Sequence, residues 1–362
     1  MTYGSADIPG TDQSGVASNV RPVAGRMAPA YRFLLGLFLG GGMFLLTDVV
    51  INMIVDPFDR APFLDLPFNR EQVSKPINRR LYQLQQSAKD PKPNMIIGDS
   101  RGELLNAAYF RELGTEDWGN ASFGGASLFE EYETLQFIQS VRPVKQAIVT
   151  LQLREWNDGY DPDQVREAVD LLEHPSHYYL SLAVLDASIA NLRNLWTGGS
   201  KGADLPSGIA GLSTPEAQRK AFWQFTLKGD GEILENWRAP IAAKRTFLDM
   251  IDFAKSNKID LTILLLPVND AMRNLILQRR GAEYQAFKQY VKAQAKVLDF
   301  DVPSVLTADD TQWRDPEHFT PDVARGIVKS ILQEKAEFPV VLSCPKECDE
   351  APDAVGGGIA GQ

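Results

Sequence analysis

Residues 94–102 read NMIIGDSRG, and this stretch sets the fold that we expect, because an apolar run stops abruptly at a glycine. A short apolar run that ends at a turn signal is typical of a buried strand. The residues that follow, 102–113, are compatible with a helix. The stretch therefore predicts a strand, a tight turn at Gly98-Asp99-Ser100 and a helix in succession.

The same strand–turn–helix unit recurs further along the chain. A second strand is predicted near 118–122, followed by the loop FGGAS and a helix over 128–141. Further apolar runs predict strands at 147–153, 260–266 and 297–300. Short strands that alternate with helices are typical of a parallel sheet covered on both faces. We therefore predict an α/β protein, a flavodoxin-like three-layer α/β/α sandwich with a central parallel sheet, whose ligands bind beyond the carboxyl ends of the strands.

The sheet pattern is interrupted between about 158 and 240, where helical pieces flank the loop WTGGSKGADLPSG. We interpret 158–240 as a helical insertion that covers the site as a lid. The domain that contains the insertion spans 93–335. A linker with a short helix, 57–92, precedes this domain, and a C-terminal tail, 336–362, follows it.

The composition fits one large domain with short appendages. The chain has 362 residues, 44% of them hydrophobic, which is enough to build a sizeable core. Its formal net charge is -10 and its pI is near 5.0. Proteins that bind nucleic acids present a basic face instead. We therefore expect no nucleic-acid partner.

Residues 33–55 read FLLGLFLGGGMFLLTDVVINMIV, an apolar stretch whose single charge is Asp48. Such a stretch is long enough to cross a hydrocarbon core about 30 Å thick. We predict one transmembrane helix over 31–56, after a disordered cytoplasmic tail, 1–30. The rival interpretation is a cleaved signal peptide, although no small-residue cleavage site clearly follows the stretch.

Charges on either side of the apolar stretch predict its orientation. Arg21, Arg26 and Arg32 precede it, whereas Asp48 and Asp56 lie at its far end. The positive-inside rule then places the N-terminus in the cytoplasm. We therefore expect a single-pass protein of the bacterial inner membrane, with the domain after Asp56 on the periplasmic side.

Residues that ligate metals are few in this chain. Its 2 cysteines, Cys344 and Cys348, lie near the C-terminus with no histidine close to them in sequence. Whether they form a disulfide stays open. His174 and His177 flank Pro175, and no third ligand is evident in the sequence. We assign these histidines to the surface of the insertion and expect no metal site.

A serine at the end of the first predicted strand is a candidate nucleophile. Ser100 needs a base to take its proton and N–H groups to hold the oxyanion that forms. The alternative is a structural role, in which Gly98-Asp99-Ser100 caps a helix after a tight turn. The next residue, Arg101, is predicted to pair with Glu103 on the helix surface.

The motif Asp315-Pro-Glu-His318 supplies the candidate base. A carboxylate three residues before a histidine lies on the same turn and fixes the tautomer of the imidazole. His318 then faces outward as the base. The alternative is a surface histidine at a helix boundary, because Thr320-Pro321 is a good start for the helix predicted over 322–333.

Together these motifs resemble the SGNH (GDSL-like) hydrolase superfamily. Gly98-Asp99-Ser100 resembles its first block, and Asp315-x-x-His318 resembles its last block. The stretch NASFGG, 120–125, resembles the second block, whose final glycine corresponds to Gly125. The resemblance spans about 93–335, including the insertion.

The resemblance implies a role for each matched residue. Ser100 is the expected nucleophile, His318 the base and Asp315 the carboxylate that orients the base. The oxyanion hole is expected to contain the N–H groups of Ser100 and Gly125, with the side-chain amide of Asn157 as a further donor.

The chain departs from the family pattern at the fourth block. The family has Gly-x-Asn-Asp directly after the third strand, whereas this chain carries Asn157-Asp158 several residues later and without that glycine. Asn157 is therefore either an oxyanion donor or part of a surface turn with Gly159.

The same resemblance implies a membrane-anchored serine esterase or O-acyltransferase, with acetyl as the expected acyl group. Its substrate is then an acylated carbohydrate or another ester in an exported polysaccharide or cell-envelope glycan. A multi-pass membrane protein is an expected acyl-donor partner, and no cofactor is expected. The alternative is a weakly active or inactive envelope protein of the same fold, which binds a glycan or a membrane partner.

Overall fold

The structure, a computed structural model of the chain, describes residues 29–61, 64, 66–198, 216–333 and 339–343. Most of the predicted tail 1–30 lies outside these residues, and so do Cys344 and Cys348. The chain divides into two compact units, Met1–Thr47 and Asp48–Gln362.

A six-stranded sheet lies at the centre of the larger unit, among the residues that the structure describes. The strand order is β2-β1-β3-β4-β5-β6. Strands β1 to β5 pair in parallel, and β6 pairs antiparallel with β5. The strands are β1 (Asn94–Ile97), β2 (Trp118–Asn120), β3 (Gln146–Thr150), β4 (Asp260–Leu265), β5 (Lys296–Asp299) and β6 (Val341–Ser343).

The first five strands follow the order 2-1-3-4-5, which is the flavodoxin-like order. The predicted α/β fold class is therefore confirmed. The sequence gives no sign of β6, because its three residues lie in the stretch that we interpreted as a C-terminal tail. An antiparallel strand at the edge of a parallel sheet is common in such folds.

Helices connect and flank the strands. Those of the N-terminal part are α1 (Pro29–Val55), α2 (Arg70–Ile77), α3 (Arg79–Lys89), α4 (Ser100–Glu103), α5 (Ala107–Glu112) and α6 (Leu128–Val141). The insertion contributes α7 (Val165–Glu173), α8 (Pro175–Leu180), α9 (Leu182–Trp196) and α10 (Glu216–Glu235). The C-terminal part contributes α11 (Ile241–Ser256), α12 (Asp270–Gln294), α13 (Val305–Ala308) and α14 (Pro321–Gln333).

The sheet is covered on both faces, as the apolar strands require. Met95 and Ile97 of β1 belong to one hydrophobic cluster, whereas Ile96 between them belongs to a second. Successive side chains of a strand point to opposite faces. The first cluster includes residues of α6 and α11, and the second includes residues of α5 and α14. These are the three layers of the sandwich.

Helix α1 is long and apolar enough to cross a membrane, by length and composition, over Tyr31–Val55. A signal sequence meets the same criteria. At its end, Arg70 donates hydrogen bonds to the carbonyl oxygens of Val55 and Asp56, at 3.3 and 2.9 Å. Arg70 thus satisfies the Val55 carbonyl at the end of the helix, while the Asp56 carbonyl also accepts the N–H of Asp59.

The segment 57–92 is more structured than a linker with one short helix. It contains α2 and α3, and Leu81 and Leu84 of α3 are fully buried in the first hydrophobic cluster. Helix α3 packs against α6 and α7. The segment therefore belongs to the core of the larger unit.

Candidate active site

The turn after β1 presents Ser100 at the carboxyl edge of the sheet. Asp99 caps α4, because its carboxylate accepts the N–H of Arg101 at 2.9 Å. A Cβ atom at Gly98 would lie 1.9 Å from Oγ1 of Thr150 on the neighbouring strand β3. Glycine is therefore required there, and the Gly-Asp-Ser sequence has a structural reason at its first two positions.

The structure brings Ser100, His318 and Asp315 together. Nε2 of His318 lies 2.7 Å from Oγ of Ser100, although the two residues are 218 positions apart in the chain. Nδ1 of His318 lies 2.8 Å from both carboxylate oxygens of Asp315. Both nitrogens of one imidazole are therefore engaged, one by a hydroxyl and the other by a carboxylate.

The turn before α14 holds this imidazole in place. Oδ1 of Asp315 accepts the N–H groups of Glu317 and His318, at 2.9 and 3.0 Å. The side chain of Asp315 is fully buried, whereas that of His318 is 14% exposed. Backbone and imidazole thus share one carboxylate, so the aspartate fixes both the turn and the ring.

Asp315 stays ionised in this buried position. Burial by itself raises the pKa of Asp315, but the hydrogen bond and the charge of His318, with the N–H of Glu317 and the charge of Arg314, outweigh burial and lower the pKa below its usual value. An ionised Asp315 requires a proton on Nδ1 of His318, which leaves Nε2 free to accept the proton of Ser100.

The loop after β2 passes close to Ser100. A Cβ atom at Gly124 would lie 3.7 Å from Cβ of Ser100 and 2.7 Å from Nη1 of Arg79. Gly125 has a positive φ of 71°, a conformation that glycine adopts without strain. Within the described residues, the N–H groups of Ser100 and Gly125 have no hydrogen-bond acceptor. Both donors are therefore free for a ligand.

Asn157 does not join this group. Its side-chain amide donates to the carbonyl oxygen of Ile233 in α10, at 3.2 Å. Its side-chain oxygen accepts the N–H groups of Gly159 and Arg238, at 2.9 and 2.7 Å. Of the two interpretations, the structure contains the turn with Gly159, but Asn157 is buried in it and not at the surface.

Arg101 is buried, and the predicted surface pair with Glu103 is wrong. Its side chain is 2% exposed, and its Nε lies 3.3 Å from Oδ2 of Asp99. Burial raises the pKa of Asp99, but the charges of Arg101 and Arg154 outweigh burial and hold the pKa below its usual value. Glu103 pairs instead with Lys75 and Arg79 of the preceding helices.

Arg154, which the sequence analysis did not single out, contacts the parts of the chain that meet at this edge. Its guanidinium lies 3.6 Å from Asp99 beside the serine, 3.6 Å from Glu317 beside the histidine and 3.2 Å from Asp230 of α10. It also lies over the ring of Tyr160. A cation after the third apolar strand was the available signal, because strand ends meet at one edge.

Tyr160 connects Arg154 to the loop after β2 that contains Gly124 and Gly125. The Tyr160 hydroxyl donates to the carbonyl oxygen of Gly125 at 3.0 Å. Arg80 donates to the same carbonyl oxygen at 3.2 Å and also pairs with the buried Glu130. The peptide groups of this loop are therefore held from outside the loop.

Buried carboxylates surround Arg101 and Arg154. Burial and the charge of Asp99 raise the pKa of Glu155 to about 8. Burial and the charge of Glu317 raise the pKa of Asp230 to about 7. Burial, followed by the charge of Glu155, raises the pKa of Glu131 well above its usual value. The site thus lies on a charged layer whose protonation changes near neutral pH.

A cavity of about 380 Å³ opens beside Gly124, where an added Cβ atom would lie 3.7 Å from Cβ of Ser100; Ser100 itself does not line the cavity. Polar side chains dominate its walls. The lining residues are Pro76, Ile77, Asn78, Arg79, Arg80, Gly124, Gln164 and Glu167. Its size lies in the range of small-molecule sites.

His174 and His177 lie on the surface of the insertion, as predicted. The structure adds a third group that the sequence analysis missed, because Asp170 accepts from both rings, with Nδ1–carboxylate distances of 3.1 and 2.7 Å. Their ligand atoms lie within 4.8 Å of one another. All three side chains are about half exposed.

Comparison with known proteins identifies no family for the chain. No family model and no curated protein matches the chain. A solved structure described as an acylhydrolase from Bacteroides fragilis is 13% identical, with a TM-score of 0.33, covering 71% of this chain and 97% of its own. A Streptococcus pneumonia structure whose description refers to platelet activating factor is 13% identical, with a TM-score of 0.35, covering 73% and 94%.

Proposed function

We propose that the chain is a serine acyl hydrolase or acyltransferase in which Ser100 is the nucleophile. One observation carries this proposal: the 2.7 Å contact between Oγ of Ser100 and Nε2 of His318, with Asp315 at 2.8 Å behind the ring. In acyl transfer by a serine, the hydroxyl is hydrogen-bonded to a base, and a third group orients that base.

The reaction follows from these contacts. His318 takes the proton of Ser100 as Oγ attacks the ester carbonyl carbon, and the N–H groups of Ser100 and Gly125 hold the resulting oxyanion. The imidazolium then returns its proton to the departing alcohol, which leaves an acyl-serine. A second hydroxyl compound gives its proton to His318 and attacks the acyl-serine, and His318 then gives that proton to Oγ of Ser100 as the acyl–oxygen bond breaks.

The acceptor of the acyl group decides between the two activities. Water as acceptor makes the protein an esterase, whereas a sugar hydroxyl makes it an O-acyltransferase. The polar cavity beside Gly124 suits a hydroxylated substrate better than a long acyl chain. We propose an acetyl ester of an exported polysaccharide or envelope glycan as the substrate.

We further propose that α1 remains attached and anchors the protein in the bacterial inner membrane, with the catalytic domain in the periplasm. The apolar stretch of α1 is continuous over Tyr31–Val55 and carries its basic residues on the N-terminal side. Its last turns are also joined to the domain, since Asn52 is fully buried and donates to the carbonyl oxygen of Tyr179 at 3.0 Å. A chain cut after Asn52 would lose this contact.

Labelling with a fluorophosphonate tests the nucleophile, because an activated serine reacts with this probe quickly. We expect rapid labelling of the wild-type protein and none of Ser100→Ala, with His318→Ala slowed by about 1,000-fold or more. Ser122→Ala, which changes a buried serine of the neighbouring loop, is the matched control and should label as the wild type does. Equally slow labelling of all four proteins would favour the inactive glycan-binding alternative.

A further inference from the structure

Helix α9 of the insertion has one buried face and one exposed apolar face. Its buried residues follow helical spacing and pack into the domain: Val184, Ala187, Ser188 and Asn191. The exposed face carries large apolar side chains, with Asp186 and Arg193 as its exposed charges. In water, an exposed apolar face of this kind marks a contact surface.

The exposed face includes a regular stripe, which we call the α9 stripe: Leu182, Leu185, Ile189, Leu192 and Trp196, of which Leu185 is half-buried and the other four are exposed. The intervals are three and four residues, so these side chains line one side of the helix. Leu182 is 69% exposed, Ile189 51% and Trp196 92%. Asp186 and Arg193 are the charged residues of the helix.

Helix α9 contacts the end of α1 through its buried face and its N-cap, which leaves the α9 stripe uncovered. The hydroxyl of Ser188, in the middle of α9, donates to Oδ1 of Asn52 at 2.8 Å. The amide of Asn52 donates to the carbonyl oxygen of Ser181, the N-cap of α9, at 3.4 Å. Asn52 precedes the end of α1 by three residues, which is about 4.5 Å along a helix axis.

The length of α1 indicates what surrounds this contact. Its apolar span of 25 residues is about 38 Å long at 1.5 Å per residue, which exceeds the thickness of a hydrocarbon core of about 30 Å. The final turns of a spanning α1 therefore reach the headgroup layer. Asn52 is in those turns, and α9 is bonded to Asn52.

We propose that the α9 stripe lies in the headgroup layer of the membrane that α1 crosses. This inference rests on the proposed anchoring by α1. The bilayer is the partner that the contact with Asn52 favours, because that contact brings α9 to the place where the chain leaves the membrane. An amphipathic helix buries its apolar face at this depth, and tryptophan is enriched there.

The consequence is a second point of attachment for the domain. One helix in the membrane leaves the attached domain free to rotate about the helix axis, whereas a helix lying on the surface restricts that rotation. The face that the active site presents to the envelope is then constant. This attachment needs no basic patch, because apolar side chains supply the contact.

Quenching by brominated lipid tests the inference on the full-length protein. Wild-type protein is reconstituted into phosphatidylcholine vesicles, with or without bromine atoms on the acyl chains near the headgroup. We expect bromine to lower the tryptophan emission, and we expect Trp196→Phe to lose that quenched component. Helix α1 contains no tryptophan, so it does not contribute. Trp223→Phe, in α10, is the matched control and should keep the quenched component.

The outcomes separate the inference from the anchoring. Protein that alkaline carbonate extracts from the vesicles would show that α1 is not a span, and would overturn both. Protein that resists extraction but shows equal quenching in the wild type and Trp196→Phe would overturn the α9 inference alone. Absence of quenching in the wild type, together with dimers that dissociate on dilution, would assign the stripe to a second copy of the chain and would also overturn the inference.

Discussion

Two aspartate–histidine pairs in this chain have nearly the same contact and different surroundings. Nδ1 of His318 lies 2.8 Å from Asp315, and Nδ1 of His177 lies 2.7 Å from Asp170. The first pair is buried, with side-chain exposures of 14% and 0%, whereas the second is about half exposed. The hydroxyl of Ser100 lies 2.7 Å from Nε2 of His318. Among the described residues, no hydroxyl contacts Nε2 of His177.

The direction of the aspartate pKa does not separate the pairs. The hydrogen bond of His177 lowers the pKa of Asp170, and the contacts of Asp315 also lower its pKa against the opposing effect of burial. Exposed ion pairs contribute little to stability, because water screens both charges. Burial and placement beyond the strand ends are therefore what distinguish a candidate catalytic pair from a surface pair.

Changing the aspartate of each pair to asparagine gives the largest expected difference. Asp315→Asn keeps an oxygen for the turn but allows the wrong tautomer of His318, so we expect kcat to fall by about 1,000-fold or more. The same change at Asp170 should leave kcat within about twofold. Hydrolysis of p-nitrophenyl acetate measures both. A comparable loss in the two variants would remove the distinction between the pairs.

Removing the charge of Arg154, next to the buried Asp315–His318 pair, is expected to have the next largest effect. Arg154→Gln leaves Asp99, Glu317 and Asp230 without their shared guanidinium, and breaking a buried ion pair costs about 3 kcal/mol. We expect kcat/KM to fall by about tenfold or more, with partial recovery in Arg154→Lys.

The matched control for Arg154 is an exposed arginine. Arg166 is 64% exposed and pairs with Glu133, so Arg166→Gln should change kcat/KM by less than about twofold. Urea unfolding measures the stability of each variant. If Arg154→Gln were as stable and as active as Arg166→Gln, the guanidinium would have no role in joining these segments.

The buried layer also predicts a pH dependence of stability that the exposed pair cannot produce. Burial raises the pKa of Glu155 to about 8, so the folded state binds a proton there that the unfolded chain releases near pH 4. This contribution to stability is complete below pH 4 and is lost as the pH rises towards 8.

Glu155→Gln tests this dependence because glutamine does not ionise. We expect the Tm of the wild type to fall between pH 5 and pH 9. The Tm of Glu155→Gln should fall as well, but by roughly 3–6 °C less than that of the wild type. Glu167→Gln, at an exposed position of α7, should follow the wild type. Parallel curves for the wild type and Glu155→Gln would mean that the buried carboxyl does not titrate in this range.

The smallest effect is expected from the exposed histidines. His174→Ala combined with His177→Ala should leave kcat/KM within about twofold and the Tm within roughly 2 °C, because their contacts are exposed to water. Steady-state kinetics and thermal melting measure the two quantities. A loss of more than tenfold would give the surface pair a function that its surroundings do not indicate.

Features that depend on neighbouring residues could be predicted from the sequence. The apolar run before Gly98 and the turn at Asp99 predict the end of β1, and both are set by local periodicity and capping. Asp315 and His318 are three residues apart, so their contact is also local. The fold class followed from the alternation of such units along the chain.

The tertiary structure alone decided which polar side chains are buried and where they point. The sequence predicted a surface position for Arg101, left Asn157 as either an oxyanion donor or part of a surface turn, and did not indicate a role for Arg154. Their partners and burial come from segments distant in the chain. The same holds for β6. The contact between Ser100 and His318, across 218 residues, was expected from the resemblance of their two motifs to a family and not from local periodicity. The physical reason is that periodicity and capping act within a few residues, whereas burial of a charge and its partners depend on segments that only folding brings together.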